Sequence, residues 1–172
     1  HVSVVDNRST GLRANLPAVH ERLRFIEADL DHALAAFGKG ERFDEIYHLA
    51  SASFVPASWD DPVGTSTAAV GAVSALLDGV RRERPEARFV NAASAEIFGA
   101  PSEVPQREAT PVAPLTPYGA GKAFAHSLTG AFRRLGLPIY YTRRDDRSHP
   151  TYRGVWNYKV GCAGSFEYQS DP

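Results

Sequence analysis

The sequence of 172 residues has no methionine and one cysteine, Cys162. A single cysteine cannot close an internal disulfide, so a reducing, cytoplasmic setting is the expectation. Neither sign of charge is in marked excess. The net charge of −1 gives no electrostatic case for nucleic acid or an anionic membrane as partner. No apolar run reaches the ~20 residues of a membrane-crossing helix, and no secretory signal pattern opens the chain. The six histidines are scattered without HExxH or another ligand spacing, so no metal site is expected. His126 reads as a packing or surface residue. The nucleophile elbow G-x-S-x-G is absent, which removes that route to a Ser-His-Asp hydrolase. The sequence also lacks internal repeats and low-complexity tracts. It opens on His1 rather than methionine, which reads as a piece of a longer protein.

What is present is 43% hydrophobic and 23% charged residues, enough for one globular domain with a real core. Short apolar runs predict strands over 1–6, 22–30, 43–50, 87–94 and 137–142. Helices are expected over 31–37, 65–84 and 118–135, stopped by Gly38 and Gly40, by Pro85 and by Gly136. The proline-rich stretch 99–117 reads as a long irregular loop. The strands are continuous apolar runs rather than alternating ones, as in parallel sheets covered on both faces. The expected fold class is therefore α/β, a doubly wound parallel sheet. Residues 143–172 show no clear period.

Open α/β sheets bind ligands beyond the carboxyl ends of their strands. Asp6 and Asn7 end the first strand. An acid there can bond the ribose hydroxyls of NAD, whereas NADP prefers a basic residue. The same two residues could simply form an Asx turn or helix cap. Asp29 and Leu30 end the second strand, near where an adenine would lie, and Asp29 could equally cap the next helix. Leu49, Ala50 and Ser51 lie at the end of the third strand among mostly small residues, which admit a dinucleotide close to the backbone and suit tight packing equally well.

Ser94 ends the fourth strand and Glu96 lies two residues beyond it. They offer a hydroxyl and a carboxylate to a substrate, or begin a loop and satisfy backbone groups. Tyr118 and Lys122 lie four apart on a predicted helix and therefore on one face. A lysine ammonium beside a tyrosine hydroxyl favours the phenolate, which suits proton exchange with a sugar hydroxyl. A plain surface pair has the same spacing. GAGK mimics the end of a P-loop, but Thr116 and Ala123 occupy positions that motif reserves for Gly and Ser or Thr.

The run FVNAASAEIFG, followed by VPQREATPVAPLTPYGAGKAFAH, resembles the extended short-chain dehydrogenase/reductase family, and within it the GDP-mannose 4,6-dehydratase branch. YHLASASFVPASWDDP and, faintly, YRGVWNYKV resemble two further family segments. The resemblance implies a Rossmann-type fold and bound NAD or NADP. It implies a nucleotide-sugar substrate held partly by Ser53, Ser94, Glu96 and Arg153, and a homo-oligomer. By the same resemblance Tyr118 takes the O4 proton, Lys122 tunes the tyrosine and holds the nicotinamide ribose, and Ser94 bonds O4. Glu96 removes the C5 proton and helps water leave from C6. The products would be a 4-keto-6-deoxy sugar nucleotide and unchanged cofactor. A sugar-nucleotide 4-epimerase is the alternative, and a non-catalytic nucleotide-binding or scaffold protein is a third reading.

The sequence departs from the branch at several places. Ser94 stands for Thr, Phe54 for His and Phe98 for Tyr, Ala72–Val73 stands for Gly-Thr, and Ala69 stands where many relatives have a polar residue. VDNRSTG looks like the NAD-using 4-epimerases rather than the NADP-preferring dehydratases. RRDDRSHP matches the family least. The family also begins with a strand and a Gly-rich turn of roughly 30 residues that is not seen before His1. Residues 1–142 would then be a partial NAD(P)-binding domain, and 143–172 the start of a truncated substrate-binding part. A chain so cut is expected to fold poorly, to leave two strand edges bare and to be inactive.

Overall fold

In a computed structural model, the residues described are 1–15, 21–32, 41–52, 54–107 and 109–141, with 156–157 and 167–168. Five parallel strands appear where apolar runs predict them: β1 (Val2–Asp6), β2 (Leu23–Glu27), β3 (Glu45–His48), β4 (Arg88–Asn91) and β5 (Ile139–Tyr141). Each is shorter than its apolar run, because the flanking residues already belong to the turns that enter and leave the strand. Two further two-residue strands, β6 (Trp156–Asn157) and β7 (Glu167–Tyr168), pair antiparallel in the stretch that showed no period.

The parallel strands form two groups rather than one. β1 pairs with β2 from Val2↔Leu23 to Asp6↔Glu27. β3, β4 and β5 form a second sheet with β4 in the middle, running from Glu45↔Arg88 to His48↔Asn91 on one side and from Phe89↔Ile139 to Asn91↔Tyr141 on the other. Among the described residues no ladder joins β1 to β3. The doubly wound sheet is therefore interrupted where two bare edges were expected.

Two helices cover the three-stranded sheet, α1 (Pro62–Glu83) and α2 (Pro117–Arg134). Both begin earlier than the apolar pattern indicates, for one reason. Asp61 and Thr116 are N-caps whose side chains accept from Gly64 N and Gly119 N, each at 2.9 Å, and each precedes a proline preset for the first helical position. Arg81 and Arg82 in the last turn of α1 face the negative end of the helix dipole. Gly136, at φ 97°, takes the left-handed conformation that ends α2. A 3-10 turn, Leu30–His32, opens the expected 31–37 helix, whose residues from 33 on lie outside those described.

By length and composition α1 could cross a membrane, which corrects the expectation that no stretch would qualify. Here its apolar side belongs to the core. Val73, Leu76, Leu77 and Val80 repeat at helical spacing and pack with Phe89, Ala125, Leu137 and Ile139. The helices approach closely where Gly121 meets Ala69, since a Cβ on Gly121 would stand 2.7 Å from the Ala69 Cβ. Ala69 is thus the small partner this crossing requires. Gly121→Leu should wedge the helices apart and destabilise the fold by about 1–3 kcal/mol; a denaturation midpoint equal to that of the parent chain would contradict this packing.

Candidate active site

The carboxyl ends of β1 and β2 are tied together by the residues expected there. Asn7 Nδ2 donates to Asp29 Oδ1 at 2.8 Å, and Asn7 Oδ1 accepts from Ser9 N at 3.0 Å. Asp6 Oδ1 accepts from Arg8 N at 2.6 Å. The turn interpretation of Asp6 and Asn7 therefore holds, and it does not exclude ligand binding, because a carboxylate has further acceptor sites. Arg8 has φ 56°, and its guanidinium reaches back to Glu27 Oε1 at 2.7 Å. The Leu30 side chain packs against the core cluster. Leu49, Ala50 and Ser51 are exposed beyond β3, and Leu49 retains 67% of its accessible surface. Ser53 and Arg153 lie outside the described residues.

The other four candidates come together at the end of β4. The chain leaves Asn91 and turns through a 3-10 segment, Ala95–Phe98. Ser94 caps this turn, its hydroxyl accepting from Glu96 N at 3.2 Å. The Ser94 hydroxyl hydrogen is still available to donate. Glu96 sits in the first turn of this segment. Gly99, at φ 59°, closes it, and a Cβ there would lie 2.2 Å from Ala113 O. That vacancy lets the proline-rich loop return and bond the turn through Ala113 N and Ile97 O at 2.9 Å.

The start of α2 then presses on the same turn. A Cβ on Gly119 would lie 2.7 Å from Glu96 O and 3.2 Å from Pro114 Cβ. Only glycine allows this approach, and it brings Tyr118 beside the segment carrying Ser94 and Glu96. One helical turn on, Lys122 is buried with 9% of its surface accessible. Its ammonium lies 5.8 Å from the Tyr118 ring centroid and donates to Ala92 O at 3.2 Å. Tyr118 and Lys122 are thus a couple rather than two surface residues.

Two buried polar residues beneath this cluster were not anticipated. His48 and Asn91 are register partners at the ends of β3 and β4, and His48 Nδ1 lies 2.9 Å from Asn91 Oδ1. Their only trace in the sequence is a polar residue closing each of two apolar runs; the pairing itself depends on strand register. Burial lowers the His48 pKa, the bond to Asn91 partly offsets this, and the Lys122 charge lowers it further. Burial also lowers the Lys122 pKa. For both groups the unfolded chain binds protons more readily than the folded one, so stability rises with pH through each window. For His48 that contribution is lost as pH falls below about 6.5. His48→Asn, which cannot titrate, should flatten the stability profile between about pH 5 and 6.5; an unchanged slope in denaturant titrations would contradict the buried, neutral imidazole.

Comparison with known proteins fits this geometry. A family model described as GDP-mannose 4,6 dehydratase matches residues 2–145. A GDP-mannose 4,6-dehydratase of Sordaria araneosa is 38% identical over 92 residues, 52% of this chain and 17% of that protein. A UDP-glucose 4-epimerase of Streptomyces lividans is 36% identical over 137 residues, 79% of this chain and 41% of that one. Among solved structures, dTDP-glucose 4,6-dehydratase of Streptomyces venezuelae with NAD bound superposes with a TM-score of 0.74 at 29% identity, covering 82% of this chain and 45% of that one. The chain therefore spans less than half the length of each of these relatives.

Proposed function

Because the chain belongs to the GDP-mannose 4,6 dehydratase family, with its Rossmann-type α/β fold, we propose that it forms the nucleotide-binding part of a nucleotide-sugar 4,6-dehydratase acting on GDP-mannose. The observation that carries this reading is the Glu96 turn held against the Tyr118 helix at Gly119. Elimination needs a carboxylate beside a tyrosine–lysine couple, whereas epimerisation at C4 needs only the couple. The residues present fit a nicotinamide dinucleotide. The Asp6 carboxylate stands at the end of β1, small residues follow β3, and a buried ammonium faces the tyrosine ring. When bound, that cofactor supplies reversible hydride transfer.

The chain's own residues handle the protons. Tyr118 accepts the proton of the sugar O4 hydroxyl as C4 becomes a ketone. Lys122 supplies the positive charge that favours the phenolate. Ser94, its oxygen already oriented by Glu96 N, donates to O4. The C4 ketone acidifies C5–H, so Glu96 can remove that proton and deliver it to the C6 hydroxyl, which leaves as water. Return of the C4 hydride to C6 and of one proton to C5, in balance with the proton taken from O4, would then complete the 4-keto-6-deoxy sugar, so that it loses one water with no net oxidation. A 4-epimerase is the second reading, favoured by the Asp6–Asn7 turn and by the Streptomyces lividans relative. We further propose a cytoplasmic homo-oligomer.

In the full-length protein, Glu96→Gln should abolish release of the 4-keto-6-deoxy product from GDP-mannose while still allowing oxidation at C4, seen as reduced-cofactor absorbance. Product formation at the parental rate would remove Glu96 from the reaction. Turnover of UDP-glucose to its C4 epimer, with none of GDP-mannose, would select the second reading.

The reading also favours NAD over NADP. Arg8, the basic side chain next to Asp6, is engaged by Glu27 rather than held ready for a 2′-phosphate. Glu27→Gln should release it and raise NADP affinity relative to NAD by about two- to fivefold, the scale of an exposed ion pair. Equilibrium dialysis of the two cofactors checks this, and an unaltered ratio would rule Arg8 out as a selector.

A further inference from the structure

Lys122 is held from below as well as from the Tyr118 side. Its ammonium donates to Ala92 O, while Ala92 N donates to His48 O at 3.1 Å. Ala92 is thus fixed on both sides, and it is the first residue beyond the β3–β4 ladder. At that same position the His48 and Asn91 side chains join across the two strands. With Asn91 Oδ1 facing the ring, and an amide oxygen able only to accept, this bond calls for the tautomer with its proton on Nδ1. The ring also stacks on Phe89, with centroids 6.3 Å apart. Phe89 is fully buried and Asn91 is 1% exposed, so the pair cannot exchange its bond for one to water without opening the core.

We infer that His48 is a positioning residue for Lys122, acting through Asn91 and the Ala92 main chain to hold the lysine ammonium over Tyr118. A histidine serves here because one flat side chain meets both demands of the position. Its face packs on Phe89, and its Nδ1–H satisfies a buried amide oxygen. Without that donor the side-chain bond across the ends of β3 and β4 is lost, and the strand ends that fix Ala92 are free to shift. Lys122 then loses its carbonyl and its buried seat together. This role rests on the proposed function for its meaning but not for its test, which reads the lysine without turnover.

The experiment is competitive acetylation of the full-length protein across a pH series, with each lysine followed by mass spectrometry. A free lysine peptide added to each sample serves as the reference. In the parent protein Lys122 should titrate below it. In His48→Phe, which keeps the stacking and loses the donor, its midpoint should rise toward the ordinary lysine value of about 10.4. In His48→Asn, which keeps a donor near the Nδ1 position, the midpoint should stay at the parental value. An unchanged Lys122 midpoint in His48→Phe would overturn the inference. Should that variant not fold, nitrogen-15 spectra of the parent protein decide the matter. An imidazole protonated at Nδ1 and hydrogen-bonded supports the tie, and one protonated at Nε2 alone overturns it. Absence of dehydratase activity in the parent protein, with the lysine midpoints as described, would refute the proposed function and leave the tie standing.

Discussion

The contact between the Glu96 carbonyl and the Gly119 backbone sets the geometry of the whole cluster. At 2.7 Å from a would-be Cβ, no side chain fits between them. The start of α2 is thereby brought against the turn after β4, and the groups carried by two separate elements become neighbours. Other features serve the same approach. Thr116 and Pro117 fix where α2 starts. Gly99 lets the proline-rich loop fold back and bond Ile97. Gly121 and Ala69 let α2 lie close along α1. Small residues recur wherever main chain must come near main chain, and the candidate residues Ser94, Glu96, Tyr118 and Lys122 stand among them.

Much of this was legible in the sequence, for identifiable reasons. Fully covered parallel strands are continuous apolar runs, so β1 to β5 stand out by composition. The core face of α1 follows a 3.6-residue period through Val73, Leu76, Leu77 and Val80. The tyrosine–lysine couple needs only helical spacing. What was missed lacks a period or depends on register. The Ala95–Phe98 turn is too short to show one. The helix starts at Asp61 and Thr116 were written in a cap residue followed by proline, but the apolar pattern begins a few residues later and drew the boundary inward. The bond between His48 and Asn91 joins residues 43 apart in sequence and exists only because one strand register makes them partners. Asp6 was presented as either a turn former or a ligand group, and the Arg8 N bond establishes the first role without removing the second.

The charge distribution follows the same division. Ion pairs such as Arg8–Glu27 and Arg24–Glu41 lie at the surface, where solvent screens them. The one buried lysine among the described residues is Lys122, at the cluster. Placing an ammonium there is unfavourable by desolvation alone, and the Ala92 carbonyl and Tyr118 ring only partly offset it. A fold gains little stability from such a group, which is a reason to look for chemistry around it.

The separation of β1–β2 from β3–β4–β5 bears on how the molecule opens. No residue of β1 or β2 is fully buried, whereas β4 carries Phe89 and Asn91 at the centre of the packing. Leu30, just past β2, packs against the same core cluster as α1. That link is apolar and without direction, so it can part without breaking a ladder. Backbone amides of β1 and β2 should then exchange with solvent through a local opening at Leu30, while those of β4 exchange only when the entire fold is lost. The chain would behave as two cooperative units of unequal depth, with Lys122, Tyr118 and the Glu96 turn all in the deeper one.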